Sequence, residues 1–178
     1  MEDKREIRRE VRRRISELTA EARTHAAREI FDAIEALPHF AEARCIALFA
    51  SMPDEVSTEM VLPRWRAMGR RLAVPRVEGE VMRFYEYDPA HMSAGAFGIA
   101  EPTDTCEVQI GDIDMMIVPA RAFTPEGLRL GRGGGFYDKY MSAATFRAYK
   151  VGICYRCQLF ATLPHDPHDI AVDRVIAR

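Results

Sequence analysis

Short runs of consecutive apolar residues recur along the chain and restrict its possible folds more than any other feature. CIALFAS (45–51), IDMMIVPA (113–120) and YKVGICY (149–155) each have the length of one strand, and few polar residues interrupt them. Runs of this kind are typical of parallel strands that are buried on both faces. RRLAVPRV (70–77) and VMRFYEY (81–87) are further strand candidates, and the alternation in the second predicts a place nearer the edge of the sheet.

Helical periodicity occupies much of the sequence between these runs. Apolar residues three and four apart predict two helices within residues 4–37, of which Thr19 caps the second. Another helix is expected over residues 58–69, with Ser57 or Thr58 as its cap.

The order of these elements predicts the fold class. A further helix is expected over DKYMSAATF (138–146), and a long loop over residues 88–112. Helices that alternate with buried strands predict an α/β fold, a Rossmann-like three-layer sandwich with a mostly parallel central sheet flanked by helices. At 178 residues, the chain is expected to form a single domain over residues 1–178.

Charge and cysteine content argue against several classes of protein. The formal net charge is −2, and basic residues are dispersed apart from KREIRREVRRRI (4–15), where acids interleave, so no nucleic-acid partner is expected. No apolar run approaches the roughly 20 residues that cross a bilayer, and the first residues lack a signal peptide's apolar centre. These features predict a cytoplasmic protein with no membrane partner. The four cysteines are expected to be reduced thiols, including the structural pair in CYRC (154–157).

The stretch LGRGGGFYDKY (130–140) is the strongest candidate for a functional site. It is not a Walker A loop, and Phe136 replaces the last glycine of the dinucleotide pattern. Three glycines let backbone N–H groups converge on an anion, and a helix starting near Phe136 would direct its positive end to the same place. Arg132 adds planar donors for phosphate oxygens, and Asp138 adds an oxygen ligand for Mg²⁺. The alternative is a glycine-rich turn with a solvated arginine, but the combination favours a phosphate site.

Two other stretches could join this site. Lys4 and Arg8 lie one helical turn apart and project from one face, although such a pair alone is typical of a solvated face. Glu55 follows the first buried strand in a turn, next to Asp54, where acids are commonplace. Because ligands of parallel sheets bind beyond the carboxyl ends of strands, we expect this turn and the glycine stretch to line one crevice.

The tail HDPHDIAVD (165–173) contains two histidines three residues apart. Pro164 and Pro167 disfavour the helix that usually presents a zinc-binding pair, and no cysteine cluster completes such a site. A role for Asp169 as an oxygen ligand of Mg²⁺ is the favoured interpretation.

In their order along the chain, these segments resemble the 5-formyltetrahydrofolate cyclo-ligase family, also called methenyltetrahydrofolate synthetases. The matching blocks are KREIR, LFASMPDEVST, VPRV, MRFYEY, FGIAEP, IVPARAF, RLGRGGGFYDKY, VGICY and HDIAVDRVI, and they span nearly the whole chain. RLGRGGGFYDKY is the most specific of them. Thr124 is a departure, because the family often has an acid directly after IVPARAF.

The resemblance implies an enzyme that uses MgATP to convert 5-formyltetrahydrofolate to 5,10-methenyltetrahydrofolate, with release of ADP and phosphate. It implies a catalytic role for Arg132, Mg²⁺ ligation by Asp138 and Asp169, and a hydrogen bond from the pterin to Glu55. The implied ATP contacts are Lys4, Arg8, Arg129, Leu130, Gly131, Arg132, Gly133, Gly134, Gly135, Phe136 and Tyr137. The implied folate contacts are Ala50, Glu55, Arg132, Gly133, Gly134, Gly135 and Phe136. The partners would be these two small molecules, bound by a monomer.

The implied route also explains why no nucleophile or catalytic triad is evident. A formyl amide is a poor electrophile, so its oxygen would attack the γ-phosphate, and N10 would then close the ring. Because that oxygen carries no proton, the first step needs no general base, and catalysis consists of alignment and charge neutralisation. Two alternatives are a binding module that holds ATP or folate without turnover, and a kinase for another small molecule, which would need a base.

Overall fold

A computed structural model describes residues 3–95 and 98–178 and has a six-stranded sheet at its centre. The strands are β1 (Cys45–Ala47), β2 (Arg71–Glu78), β3 (Val81–Glu86), β4 (Met92–Ala94), β5 (Ala100–Pro102), β6 (Met115–Val118), β7 (Ala122–Phe123), β8 (Arg129–Leu130), β9 (Tyr149–Cys154) and β10 (Arg174–Ala177). The helices are α1 (Lys4–Ser16), α2 (Ala20–Glu35), α3 (Pro38–Glu42), α4 (Val61–Ala67) and α5 (Phe136–Met141). Phe97, in the block FGIAEP, lies outside the described residues.

The central sheet has the strand order β10-β9-β6-β1-β2-β3. All neighbouring pairs are parallel except β2 and β3, which form an antiparallel hairpin. The predicted mostly parallel sheet is therefore confirmed, and β3 lies at the edge as its alternation indicated. Strand β10 was not predicted, because its four residues follow a polar tail without a long apolar run.

The two faces of the sheet bury different side chains, which confirms the three-layer arrangement. Ile46 and Leu72 pack in one apolar cluster with α1, α2, α3 and α4. Ala47 and Met116 pack in a second cluster with Phe123 of β7 and residues of α5. None of the described helices is long and apolar enough to cross a membrane.

The ends of two helices show where local sequence signals succeed and fail. Thr19 caps α2 as predicted, because its Oγ1 accepts a hydrogen bond from the N–H of Ala22 at 3.1 Å. The helix expected over residues 58–69 is shorter and starts at Val61 without a side-chain cap. Thr58 instead donates from Oγ1 to the Phe49 carbonyl at 2.8 Å and closes the loop after β1.

Residues 119–135 leave the sheet through the small β7–β8 hairpin. Thr124 closes its turn, because its Oγ1 accepts from the N–H of Leu128 at 3.2 Å. Gly127 has φ of +100°, and a Cβ there would lie 2.3 Å from the carbonyl oxygen of Val172. The N–H of Val172 donates to the Gly127 carbonyl at 2.9 Å, so the hairpin and the C-terminal tail are fixed together.

The region after β3 contains more regular structure than the sequence predicted. Residues predicted as a loop over 88–112 include the β4–β5 hairpin.

All four cysteines are unpaired, as predicted, and burial raises the pKa of Cys45 to about 11 and that of Cys154 to about 12.

A glycine in β9 gives a test of this packing. A Cβ at Gly152 would lie 2.4 Å from Cε1 of Phe123, whose side chain is fully buried. Gly152→Ala should therefore lower the free energy of unfolding by about 1–3 kcal/mol through overpacking, measured by urea denaturation. Gly111→Ala is the control, because a Cβ there meets only the Thr145 carbonyl at 3.8 Å. Equal stability of the two variants would contradict the close contact.

Candidate active site

A pocket of about 210 Å³ opens at the carboxyl edge of the sheet. Strands β1 and β6 are parallel neighbours there, and the chain continues from them in opposite directions across the sheet. Such a point of divergence is where ligands of open α/β sheets usually bind. The turn after β1 and the glycine stretch both line this pocket, so the structure brings together the two segments expected to share a crevice.

The walls of the pocket are mainly apolar. The apolar lining residues are Phe49, Ala50, Met52, Pro75, Val77, Met82, Ile99, Pro119, Ala120, Phe136 and Tyr137. The charged lining residues are Glu55, Glu101, Arg129, Arg132 and Asp138. A pocket with this composition suits a flat apolar ring system that carries a few polar groups.

The glycine loop has a backbone that L-residues rarely adopt. Gly133 and Gly135 have φ of +114° and +67°, and a Cβ at Gly134 would lie 2.7 Å from the Phe136 ring. Within the described parts of the chain, the N–H groups of residues 132–135 donate to no main-chain acceptor. Exposed N–H groups in consecutive residues of this kind form a concave binding place for anions.

The predicted cations of α1 lie beside this loop. Arg8 donates from Nε to the Gly131 carbonyl at 2.9 Å, and its guanidinium lies 3.7 Å from the position of a Cβ at Gly133. Lys4 Nζ lies 2.7 Å from Asp166 Oδ2 and 3.0 Å from Asp169 Oδ2. The hydrogen bond to Asp166 is the largest cause that raises the pKa of Lys4.

The C-terminal tail brings Asp169 near Asp138. Asp138 Oδ1 lies 2.8 Å from Arg129 Nη2 in an ion pair and accepts a hydrogen bond from the N–H of Ile170 at 2.9 Å. Asp169 Oδ2 accepts from Lys4 and from the N–H of Asp166. Burial opposes ionisation of Asp169, but these hydrogen bonds outweigh it and lower its pKa.

The second oxygen of each carboxylate is the one that a metal could use. Asp138 Oδ2 and Asp169 Oδ1 accept no hydrogen bond from any described residue. In residues 3–95 and 98–178, no group of three or more His, Cys, Asp or Glu side chains could hold a metal. Mg²⁺ commonly binds through one or two carboxylates, waters and substrate phosphates, so this pair of aspartates fits Mg²⁺ together with a phosphate ligand.

Arg129 is almost fully buried beneath the loop. Its side chain is 3% exposed, and its Nη2 pairs with Asp138. The buried Nε has no hydrogen-bond partner among the described residues. This guanidinium therefore brings a positive charge to the wall of the pocket, while its buried Nε remains an unsatisfied donor.

Arg132 joins the glycine loop to the turn after β1. It donates to Glu55 Oε1 from Nε at 3.0 Å and from Nη2 at 2.8 Å, and Nη2 also donates to Asp54 Oδ1 at 2.6 Å. Burial lowers the pKa of Arg132, but the hydrogen bond to Asp54 and the charge of Glu55 outweigh this effect and raise it. The predicted residues Arg132 and Glu55 are thus in direct contact.

Glu55 is held in place from three sides. Its Oε2 accepts the N–H of Met52 at 2.9 Å, and its own carbonyl accepts the hydroxyl of Tyr155 at 3.1 Å. Its side chain is 11% exposed, and Ala50 lines the same wall. The carboxylate is therefore fixed at the mouth of the apolar pocket.

Several lining residues were not predicted from the sequence. Pro75, Val77 and Met82 reach the pocket because β2 and β3 extend past the carboxyl end of β1, which no local pattern indicates. Arg121 does not line the pocket, but it was also not predicted. The sequence held a signal for it, since an arginine within an apolar run is buried only when it is paired with an acid. Its partner is Asp54.

Comparisons with known proteins agree with this fold. The sequence profile of the 5-formyltetrahydrofolate cyclo-ligase family matches residues 1–178. The 5-formyltetrahydrofolate cyclo-ligase of Escherichia coli K12 is 30% identical over 175 residues, which cover 93% of this chain and 95% of the relative. The Mus musculus 5-formyltetrahydrofolate cyclo-ligase is 27% identical over 187 residues, which cover 97% and 92%.

A solved structure extends the likeness to three dimensions. The 5,10-methenyltetrahydrofolate synthetase of Aquifex aeolicus matches with a TM-score of 0.87 at 34% identity, over 98% of this chain and 89% of that chain. Because the profile spans the whole sequence and the likeness in fold covers nearly all of it, the chain is a ligase that belongs to the 5-formyltetrahydrofolate cyclo-ligase family.

Proposed function

We propose that this enzyme uses ATP to convert 5-formyltetrahydrofolate to 5,10-methenyltetrahydrofolate, with release of ADP and phosphate. The observation that supports this most strongly is the direct pairing of Arg132 with Glu55. This pair joins an apolar pocket suited to a pterin to an exposed glycine loop suited to a triphosphate. A site that holds both molecules at one junction is what a transfer of phosphate to the folate needs.

The folate occupies the apolar pocket in this proposal. Its pterin lies between the residues of β2 and β3 and the ring of Phe136, near Ala50, and one of its N–H groups donates to Glu55. The fixed position of the Glu55 carboxylate supports this role, because a hydrogen-bonded carboxylate selects a ring that presents donors.

The triphosphate lies along the glycine loop. The N–H groups of residues 132–135 bind its oxygens, and Arg8, Arg129 and Lys4 supply positive charge from both sides. Lys4 would leave its ion pairs with Asp166 and Asp169 and bind a phosphate instead. The carboxylates of those two acids could then bind other groups. Tyr137 lines the pocket, whereas the side chain of Leu130 is buried in the apolar core next to the loop.

The chemistry proceeds in two displacements. The formyl oxygen attacks the γ-phosphorus, the bond from that phosphorus to the bridging oxygen breaks, and ADP leaves. N10 then attacks the activated formyl carbon, loses its proton, and displaces phosphate to close the ring. Arg132 contributes by donating to the transferring phosphoryl oxygens, where charge develops.

The two aspartates complete the nucleotide site. Asp138 and Asp169 would hold Mg²⁺ through the carboxylate oxygens that accept no hydrogen bond within the described residues. When bound, the ion neutralises charge on the phosphates.

We also propose that the enzyme works as a monomer in the cytoplasm. Every contact proposed for ATP and the folate comes from a single chain, and the unpaired thiols suit a reducing compartment.

A direct assay separates this function from the alternatives. Incubation of the purified protein with MgATP and 5-formyltetrahydrofolate should yield methenyl product and ADP in equal amounts. The methenyl product is measured by its absorbance. Nucleotide binding without product would instead indicate a binding module. ADP formation that requires a different acceptor would indicate a kinase.

Arg132→Ala should lower kcat by roughly 10²–10³-fold, because it removes a donor that acts on the transferring phosphate. The free energy of unfolding should change by less than about 1 kcal/mol, since the pairs of Arg132 are partly exposed. Steady-state kinetics and thermal denaturation measure the two effects. Arg64→Ala is the matched control, because Arg64 also pairs with two acids but lies away from the pocket. Unchanged turnover in Arg132→Ala would remove the proposed role.

Asp138→Asn should raise the Mg²⁺ concentration needed for half-maximal activity by roughly tenfold or more, because one charged ligand is lost. The asparagine can still accept from the N–H of Ile170, but the buried Arg129 loses its charged partner, so urea denaturation of the variant is measured beside the titration. Asp173→Asn is the control, since Asp173 pairs with Lys150 at the other end of the sheet. A Mg²⁺ titration identical to that of the wild type would exclude Asp138 as a ligand.

A further inference from the structure

We infer that Asp54 is a positioning residue for Arg132 and that Arg121 fixes Asp54 in turn, an inference that rests on the proposed function. Asp54 does not line the pocket proposed for the folate. It lies between one buried and one partly exposed arginine and bonds to both through different oxygens.

Arg121 is the fixed end of this chain of contacts. It is 6% exposed and precedes β7. Its N–H donates to the Leu130 carbonyl at 2.7 Å, and its carbonyl accepts from the buried side chain of Gln158 at 3.0 Å. Its guanidinium donates to Asp54 Oδ2, so a buried and well-anchored cation sets the orientation of the Asp54 carboxylate.

Arg132 is at the other end of this chain of contacts, and its side chain depends on Asp54 and Glu55 for its position. It belongs to a loop whose residues 132–135 donate no main-chain hydrogen bond within the described chain, so the backbone alone does not fix its side chain. Glu55 and Asp54 therefore determine where the guanidinium lies. Since the pterin also binds Glu55 in the proposed complex, Asp54 is the acidic partner of Arg132 that is not shared with the substrate.

The geometry leaves a donor free for the phosphate. Nε and Nη2 of Arg132 point to the two acids, while Nη1 has no acceptor among the residues that the structure describes. Asp54 also stays ionised: burial opposes this, but the hydrogen bonds from Arg132 and Arg121 lower its pKa. Two cations and two anions thus form a neutral group in which Nη1 of Arg132 stays available for a phosphate.

The test is a double-mutant cycle between Asp54 and Arg132. Asp54→Asn should lower kcat by roughly tenfold and change both KM values by less than about twofold, because it misplaces a group that acts in the transition state. In the Arg132→Ala background, Asp54→Asn should have no further effect on kcat. Asp32→Asn is the control, since Asp32 also accepts from an arginine, Arg64, on a remote surface.

A second variant keeps the test valid if Asp54→Asn folds poorly. Removing Asp54 alone leaves the buried Arg121 without its charge partner, whereas Asp54→Asn combined with Arg121→Met removes both members of the pair. This double variant should show the same fall in kcat and the same loss of effect in the Arg132→Ala background.

The outcomes separate the inference from the function on which it rests. Absence of methenyl product from the wild-type enzyme would overturn both. Turnover by the wild type, with equal effects of Asp54→Asn in the wild-type and Arg132→Ala backgrounds, would overturn the positioning role alone. Loss of effect in the Arg132→Ala background would support it, because a general structural defect would lower kcat in both.

Discussion

The parallel pairing of β1 with β6 is the constraint on which the site depends. Ile46 pairs with Met115 and Ala47 with Met116, so the two strands run side by side toward the same edge. The turn that follows β1 and the hairpin that follows β6 must therefore emerge at the same edge, although they are far apart in sequence. Short apolar runs produce this pairing because they can be buried only as central strands. The candidate site is lined by side chains from both exits.

Much of the fold could be predicted from periodicity, whereas the contacts within the site could not. The central strands, the edge position of β3 and the cap at Thr19 all follow from patterns of a few neighbouring residues. The helix cap expected at Ser57 or Thr58 was wrong, because the Phe49 carbonyl takes the Thr58 hydroxyl. Strand β10 forms because it pairs with β9. Its own four residues give only a weak strand pattern. Long-range partners decide such details, and local periodicity contains no information about them.

The candidate residues show the same division. The glycine loop, Arg132 and Glu55 could be identified because their residue types and positions after strands suggest their chemistry. That Arg132 would pair with Glu55, and Lys4 with Asp169, depends on the three-dimensional arrangement of loops. In the proposed complex, these ion pairs hold charged groups near their working positions, so less reorganisation is needed when a phosphate replaces a carboxylate. The apolar wall from β2 and β3 was missed because strand length, rather than residue type, brings it to the site.

The contact of Lys4 with the tail also affects how the protein is made. Lys4 is separated from Asp166 by 162 residues and from Asp169 by 165. A ribosome releases the N-terminal helix first, so α1 must wait for nearly the entire chain before its lysine meets these acids. Until then its apolar face has no complete surface to cover it, a condition that favours chaperone binding and aggregation of nascent chains. The proposed nucleotide site is therefore among the last parts of the enzyme to form during translation.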